Sequence, residues 1–137
     1  MSFLNVVKLL RENRSVGCTI EAMTSAAMNG HVEVVQWLYD NRSEGCSEDV
    51  FSLVAGNGHL EMLQWLDAHG YKSKFRYAFK HATENGHIPV IQWLLSLTDN
   101  EQYESYTRWA MKIAVKKNQQ RVIRWLEPLV EPRSSNV

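Results

Sequence analysis

The chain is poor in the features that mark secreted, disulfide-bonded or membrane-spanning proteins: it has two cysteines and three prolines among 137 residues. Its apolar runs are far shorter than the ~18 residues that a helix needs to span a bilayer. Its start, Met1-Ser2-Phe3, leads into an amphipathic stretch without the apolar centre and the small-residue cleavage site of a signal peptide. We therefore expect a cytoplasmic protein, with the nucleus as the alternative, and no membrane partner.

The residue patterns that support catalysis are also missing. The sequence has no isolated pair of carboxylates, no cysteine–histidine pairing and no glycine-rich phosphate loop, and turns account for its seven glycines. We predict that the protein is not an enzyme, with no catalytic residue, no metal site and no cofactor.

The formal net charge is zero, but the charge is unevenly distributed. Residues 1–70 carry four Lys or Arg and nine Asp or Glu, a charge of −5, whereas residues 71–137 carry eleven and six, a charge of +5. Such an asymmetry between halves indicates an interaction surface.

One segment of sequence is repeated along the chain. Asn-Gly-His-Val-Glu-Val-Val-Gln-Trp-Leu begins at Asn29, and close copies begin at evenly spaced positions, Asn57 and Asn85. A weaker copy ends at Trp125, slightly beyond the regular spacing from Trp93, and there Lys-Asn-Gln replaces Asn-Gly-His. A fixed period in this range is typical of stacked helical units.

Each unit is predicted to form two short helices joined by a tight turn. Small and apolar residues recur at helical spacing before Asn29-Gly30, and Val34, Val35 and Leu38 form an apolar stripe after it. Asn and Gly accept the left-handed backbone that such a turn requires. The same register predicts the buried faces of the later first helices, which are Val50-Phe51 with Val54-Ala55, Ala78-Phe79 with Ala82-Thr83, and Ala110-Met111 with Ala114-Val115.

These strings, with two small residues shortly before each turn glycine, resemble ankyrin repeats. The resemblance implies an all-α, ankyrin-type helix-turn-helix solenoid, with a partial first repeat and about four more over residues 1–130, and a flexible tail at 131–137. The period is 28 residues rather than the usual ~33, and the Thr-Pro-Leu-His tetrapeptide is missing. We therefore expect shortened loops in place of the β-hairpin fingers, and a longest loop around Thr98–Gln102, where four residues are inserted.

The regularly repeated residues are interpreted as scaffold. Trp37, Trp65, Trp93 and Trp125 could form a ligand-stacking ladder, but their place beside the apolar stripe favours packing between repeats. His31, His59 and His87 recur once per repeat, too far apart to share a zinc ion, and the resemblance implies that they support the turns through hydrogen bonds. Cys18 and Cys46 are likewise equivalent positions, too far apart for a disulfide, so we expect them to be reduced and half-buried.

Residues that fail to repeat are the candidates for function. Three columns on the first helices change along the chain: Ile20, Glu48, Arg76, Arg108; Glu21, Asp49, Tyr77, Trp109; and Thr24, Ser52, Lys80, Lys112. The resemblance implies a protein–protein interaction scaffold that binds through the concave face, on or near which these columns lie. Arg and aromatic residues are enriched at binding hot spots. The candidate partner-binding residues are thus Arg76, Tyr77, Lys80, Arg108, Trp109 and Lys112, with a merely solvated face as the plainer interpretation.

The favoured partner is another protein with an acidic or mixed-charge segment, bound by a monomer. Nucleic-acid binding is the alternative, through the cations Arg76, Lys80, Arg108, Lys112, Lys116 and Lys117. The neutral net charge and Glu84 within that patch argue against it, because nucleic-acid-binding domains usually carry a basic excess.

Overall fold

The computed structural model describes residues 16–41 and 45–130, so the predictions for the first half-repeat and for the tail at 131–137 lie outside the described residues. Within those ranges the chain forms helices and no strand. The helices are α1 (Val16–Met28), α2 (Val32–Asn41), α3 (Val50–Asn57), α4 (Leu60–Ala68), α5 (Phe75–Glu84), α6 (Ile88–Ser96), α7 (Asn100–Lys116) and α8 (Gln120–Val130).

The helices alternate in role along the chain. The first helices are α1, α3, α5 and α7, and each packs against the second helix that follows it. Each of α1, α3 and α5 also packs against the next first helix. The second helices α2, α4 and α6 pack against one another in the same order, and α8 packs against α7. Helices of ~10 residues are marginal alone, so this stacking between repeats stabilises them. The prediction of an all-α helical repeat solenoid is confirmed.

The turn inside each pair follows the predicted chemistry. Gly30, Gly58 and Gly86 adopt φ values of 75°, 79° and 76°, which is the left-handed region that glycine accepts without steric cost. In the last pair Asn118 adopts φ 56° in place of glycine, because asparagine tolerates this conformation better than most side chains. The degenerate copy therefore keeps the same turn.

The core runs the length of the described array. Phe51 and Phe79 lie fully buried between first helices, and Leu38, Leu66, Leu94 and Leu126 occupy equivalent buried places on the second helices. The prediction that Val115 is buried was wrong: this residue is 60% exposed, although Thr83, its counterpart in the preceding repeat, is fully buried. The reason is that α7 covers Thr83, whereas no further first helix follows α7 within the described chain.

The predicted longest loop around Thr98–Gln102 was also wrong. Helix α7 begins at Asn100 and contains 17 residues, and Asp99 caps its amino-terminal end. The Asp99 carboxylate accepts a hydrogen bond from the Gln102 backbone N–H at 2.8 Å, and the Gln102 side chain accepts one from the Asp99 N–H at 3.2 Å. This capping box satisfies N–H groups that a helix start leaves unpaired. The inserted residues therefore lengthen a helix.

The tryptophans of the period lie at the edge of the core. Trp37, Trp65, Trp93 and Trp125 are each half-buried against it. Trp65 Nε1 also donates a hydrogen bond of 2.7 Å to Gln36 Oε1, which links α4 to α2. In the part of the chain described here, no helix is both long and apolar enough to cross a membrane.

Candidate partner-binding surface

A stacked pair of side chains joins the first helices α5 and α7. Arg76, in the first turn of α5, places its guanidinium carbon 4.5 Å from the centre of the Trp109 ring on α7. An arginine over an indole face is attracted by the ring's negative quadrupole. Arg76 and Trp109 belong to different columns of the repeat, so the contact runs diagonally between neighbouring units.

The Trp109 ring is held in place from below. It stacks on the buried Phe79 with ring centres 5.9 Å apart and planes at 19°. Tyr106 packs against both rings, with centres 5.9 Å from Trp109 and 4.9 Å from Phe79. Because Phe79 is a core residue, the core fixes the plane on which Arg76 rests.

Around this pair lies a shallow depression of about 310 Å³. It brings together four of the six predicted partner-binding residues, and the full lining is Arg76, Ser105, Tyr106, Arg108, Trp109 and Lys112. Tyr77 and Lys80 lie outside this lining; Tyr77 is exposed over 57% of its surface, and Lys80 is half-buried.

Ser105 and Tyr106 are absent from the predicted set because the inserted segment was interpreted as a loop. They belong to the part of α7 that the insertion adds before Thr107, the counterpart of Phe75 at the start of α5. The available signal was the spacing Asp99-x-x-Gln102 followed by Tyr103, Tyr106 and Ala110 at helical intervals. That is the signature of a capped amphipathic helix.

The basic side chains of this surface differ in whether they form an ion pair with a carboxylate. Arg108 forms an ion pair of 3.1 Å with Glu104 one turn earlier; the Arg108 side chain is largely exposed and that of Glu104 is half-buried. Lys117 lies 4.0 Å from Glu84. Among the described residues, neither Arg76 nor Lys112 forms an ion pair with a carboxylate. Counted over the described residues, the lining of the depression therefore carries more positive than negative charge.

The equivalent columns near the amino-terminal end have a different chemistry. Ser52 is buried and donates its hydroxyl hydrogen bond to the Asp49 carbonyl, while Thr24 accepts a hydrogen bond from the Ser47 backbone N–H. The Asp49 carboxylate pairs with Lys74 at 2.5 Å, and this hydrogen bond raises the pKa of the Lys74 ammonium. Asp49 and Glu48 are exposed, so these two acidic residues lie at the surface where the later repeats carry Arg76, Tyr77, Arg108 and Trp109.

An aromatic cluster at the loop after α4 was not predicted. Trp65 stacks on His69 with ring centres 3.8 Å apart, and Tyr39 meets the edges of both rings. Tyr71 lies 6.2 Å from Trp65 and beside Cys46. Burial raises the pKa of the Cys46 thiol to about 11, so this half-buried cysteine stays protonated at neutral pH, as a structural residue does.

Two of the repeated histidines, His59 and His87, contact the turn of the preceding repeat. His87 Nε2 donates a hydrogen bond of 3.0 Å to the Gly56 carbonyl, and the His59 ring lies against Gly30. These contacts agree with the predicted structural role. In the described ranges, no group of three or more His, Cys, Asp or Glu residues is placed to hold a metal ion.

Comparison with known proteins gives one match. Residues 23–66 fit the family model described as ankyrin repeats (many copies). No match was found among curated proteins or among solved structures. The matched segment runs from Met23 on α1 to Leu66 on α4, which covers two stacked helix pairs.

Proposed function

This chain is an ankyrin-repeat protein, and from that premise we propose that it is a non-catalytic scaffold which binds another protein. Ankyrin repeats generally serve as protein–protein interaction modules. The binding face is the one formed by the first helices, which is the concave face in this family. The protein acts as a monomer in the cytoplasm, and its partner presents an acidic segment to the carboxy-terminal repeats.

The observation that carries the proposal is the depression between α5 and α7. Arg76, Arg108, Lys112 and Trp109 line it together, although Arg76 and Arg108 belong to different repeats. Arginine and tryptophan are the residue types that most often supply binding free energy at interfaces. A scaffold position would recur in every repeat, whereas the matching residues of the second unit are Ile20, Glu21 and Thr24.

The charge of the lining favours an acidic partner. Arg76 and Lys112 lack carboxylate partners among the described residues, and the lining itself contains no acidic side chain. Complementary charge mainly increases the rate of association and the specificity, and its effect falls as salt screens it. Binding should therefore weaken with salt, but gradually.

A charge-reversal experiment tests the proposal. The parent protein, the double variant Arg76→Glu with Arg108→Glu, and the control Arg121→Glu with Arg124→Glu are each used to capture partners from cell extract. The control makes the same charge change at exposed positions of α8. Proteins bound by the parent and the control but lost by the first variant support the proposal. Equal capture by all three proteins contradicts it.

Nucleic-acid binding is the second candidate, because Arg76, Lys80, Arg108, Lys112, Lys116 and Lys117 lie on α5, α7 and the turn that follows. If all six contacted phosphates of a single strand, log K would fall with log salt at a slope of about −4. Two observations argue against this function: Lys117 faces Glu84, and Arg108 faces Glu104. Anisotropy of a labelled oligonucleotide over a salt series distinguishes the two functions.

A further inference from the structure

The Arg76 guanidinium is held in a geometry that suits an oxyanion. Its carbon lies 4.5 Å from the centre of the Trp109 ring, and that ring stacks on the core residue Phe79. A guanidinium that stacks on an aromatic face keeps its N–H groups in its own plane, where they can donate two parallel hydrogen bonds. Less side-chain entropy is lost on binding, because the stack already restricts the arginine.

Further donors surround the same space. Lys112 is exposed and, within the described chain, without a carboxylate partner. Arg108 is paired with Glu104, but a solvent-accessible pair of this kind contributes little to stability, so a stronger anion can compete for it. Ser105 adds a hydroxyl to the lining. Three cations and a hydroxyl thus border one depression of about 310 Å³.

We propose that this depression binds a phosphorylated serine or threonine within the acidic segment of the partner. The inference rests on the proposed function and names the group that the surface recognises. A phosphomonoester carries about −1.5 to −2 charges at neutral pH and has three acceptor oxygens, whereas a carboxylate carries one charge and two oxygens. Three cations that line one depression match the phosphate better, because one carboxylate would leave part of their charge uncompensated.

The surroundings of Trp109 favour an alkyl phosphate over a nucleotide or a phosphotyrosine. Arg76 covers the ring and Phe79 stacks on it. Proteins that bind single-stranded nucleic acid offer aromatic faces on which bases stack. Here the ring positions an arginine instead, so the depression offers charge and N–H donors and little stacking surface.

Three peptides test the proposal. They share the sequence Ala-Ala-X-Ala-Ala with blocked ends, where X is phosphoserine, glutamate or serine. Binding is followed in amide-resolved NMR titrations of the whole chain, with the five tryptophan indole N–H signals as reporters. We expect the phosphoserine peptide to bind roughly tenfold more tightly than the glutamate peptide, and the serine peptide to bind undetectably. The largest shifts should fall on the Trp109 indole and on the amides of residues 105–112.

Matched variants locate the site. Arg76→Gln and Lys112→Gln should each weaken phosphoserine-peptide binding by roughly tenfold, because each removes a charge-assisted hydrogen bond. Arg121→Gln removes an equally exposed arginine on α8 and should leave the affinity unchanged. Because Arg76 and Lys112 are both exposed, neither substitution should unfold the chain, and an unchanged NMR spectrum of the free variant verifies this.

The outcomes separate the two proposals. If the phosphoserine and glutamate peptides bind equally and Arg76→Gln weakens both, the phosphate inference is overturned while the acidic-partner function stands. If neither peptide binds, or if Arg121→Gln weakens binding as much as Arg76→Gln, the inference is also overturned. Inorganic phosphate or an oligonucleotide that binds more tightly than the phosphopeptide would refute a protein segment as ligand. The proposed function fails independently, when charge reversal leaves partner capture unchanged.

Discussion

At the scale of single residues, the turn glycine of one repeat leaves the space that the histidine ring of the next repeat occupies. A Cβ on Gly30 would lie 2.8 Å from His59 Nδ1, and a Cβ on Gly58 would lie 2.6 Å from His87 Nδ1. Gln119 takes the histidine's place in the last unit: it lies over Gly86, and its side-chain amide donates a hydrogen bond of 2.5 Å to the Glu84 carbonyl. The glycine is thus required twice, for its left-handed backbone and for the space that the next repeat's side chain fills.

This double requirement predicts a difference between two substitutions. Gly58→Ala and Gly70→Ala impose the same left-handed strain, since their φ values are 79° and 82°. Nothing lies within 4 Å of a Cβ on Gly70, so that variant should lose only about 1 kcal/mol of unfolding free energy. Gly58→Ala must also displace His87 and should lose ~2 kcal/mol more. Urea denaturation measures both, and equal losses would contradict the packing role of His87.

The raised pKa of the Cys46 thiol predicts that the free energy of unfolding depends on pH. Burial raises the pKa of its thiol from 9.0 to about 11. The folded state therefore holds the proton more tightly than the unfolded state, and this contribution to stability is complete below the unfolded pKa of 9.0 and is lost as pH rises through about 11. The unfolding free energy of the parent should decline over this alkaline range more than that of Cys46→Ala.

Urea denaturation at about pH 8 and about pH 10.5 provides the comparison, since this window lies where a raised thiol pKa has its effect. The pKa values of Tyr71 and Lys74 are also raised, and both residues are present in both proteins. The part of the Tyr71 shift that Cys46 causes is lost in the variant, and it changes the comparison in the same direction as the thiol itself. A stability difference between parent and variant that stays constant with pH would show that the thiol does not titrate as described.

At the scale of elements, helix α7 departs most from the repeat and contributes most to the candidate site. Its additional turns supply Ser105 and Tyr106 to the depression, and Tyr106 packs against Phe75 of α5 with ring centres 5.4 Å apart. A loop of the same length would present no ordered side chain there. The insertion in the last repeat is therefore part of what distinguishes this surface from the surfaces of the earlier repeats.

The start of α7 depends on its capping box. Asp99→Ala should lower the unfolding free energy by about 1 kcal/mol, because the Gln102 backbone N–H at the helix start loses its acceptor. Gln102→Ala should cost less, since only the reciprocal bond to the Asp99 N–H is lost. Asn100→Ala, an exposed neighbour, serves as the control and should stay within ~0.5 kcal/mol of the parent. Thermal or urea unfolding that ranks Asn100→Ala with Asp99→Ala would argue against the cap.

At the scale of the whole molecule, packing follows the order of the chain. Each first helix packs extensively only against neighbouring units: α1 against α3, α3 against α5, and α5 against α7. Stability in such a stack is a sum of local terms and interfaces between neighbours. The charge is divided along the same axis, with acidic residues toward α1 and a cationic depression between α5 and α7.

Because each repeat packs mainly against its neighbours, a destabilising substitution in the last repeat should affect chiefly the helices close to it. Leu126 on α8 is fully buried, and Leu126→Ala should cost ~2–5 kcal/mol in the last repeat. Hydrogen exchange followed by mass spectrometry should then show faster exchange in α7 and α8, with α1 to α3 nearly unchanged. Uniform acceleration along the chain would show that the array unfolds as one cooperative unit.

The helix pairs, their turns and the buried stripes could be predicted from the amino-acid sequence alone. These follow from residues within one period: the Asn-Gly turns need a left-handed backbone, and Val34, Val35 and Leu38 share one helix face at any position in the stack. The sequence also named Arg76, Arg108, Trp109 and Lys112, because residues that fail to repeat are visible without coordinates.

The contacts between residues of different repeats, in contrast, became visible only in the folded structure. Arg76 lies over Trp109 of the following repeat, because the stacking of α5 on α7 brings their columns together diagonally. Val115 is exposed and Thr83 is buried at the same place in the register, because the neighbour that covers Thr83 has no counterpart beyond α7 in the described chain. Local periodicity fixes which face of a helix is apolar, but burial and side-chain partners depend on the next repeat in the stack.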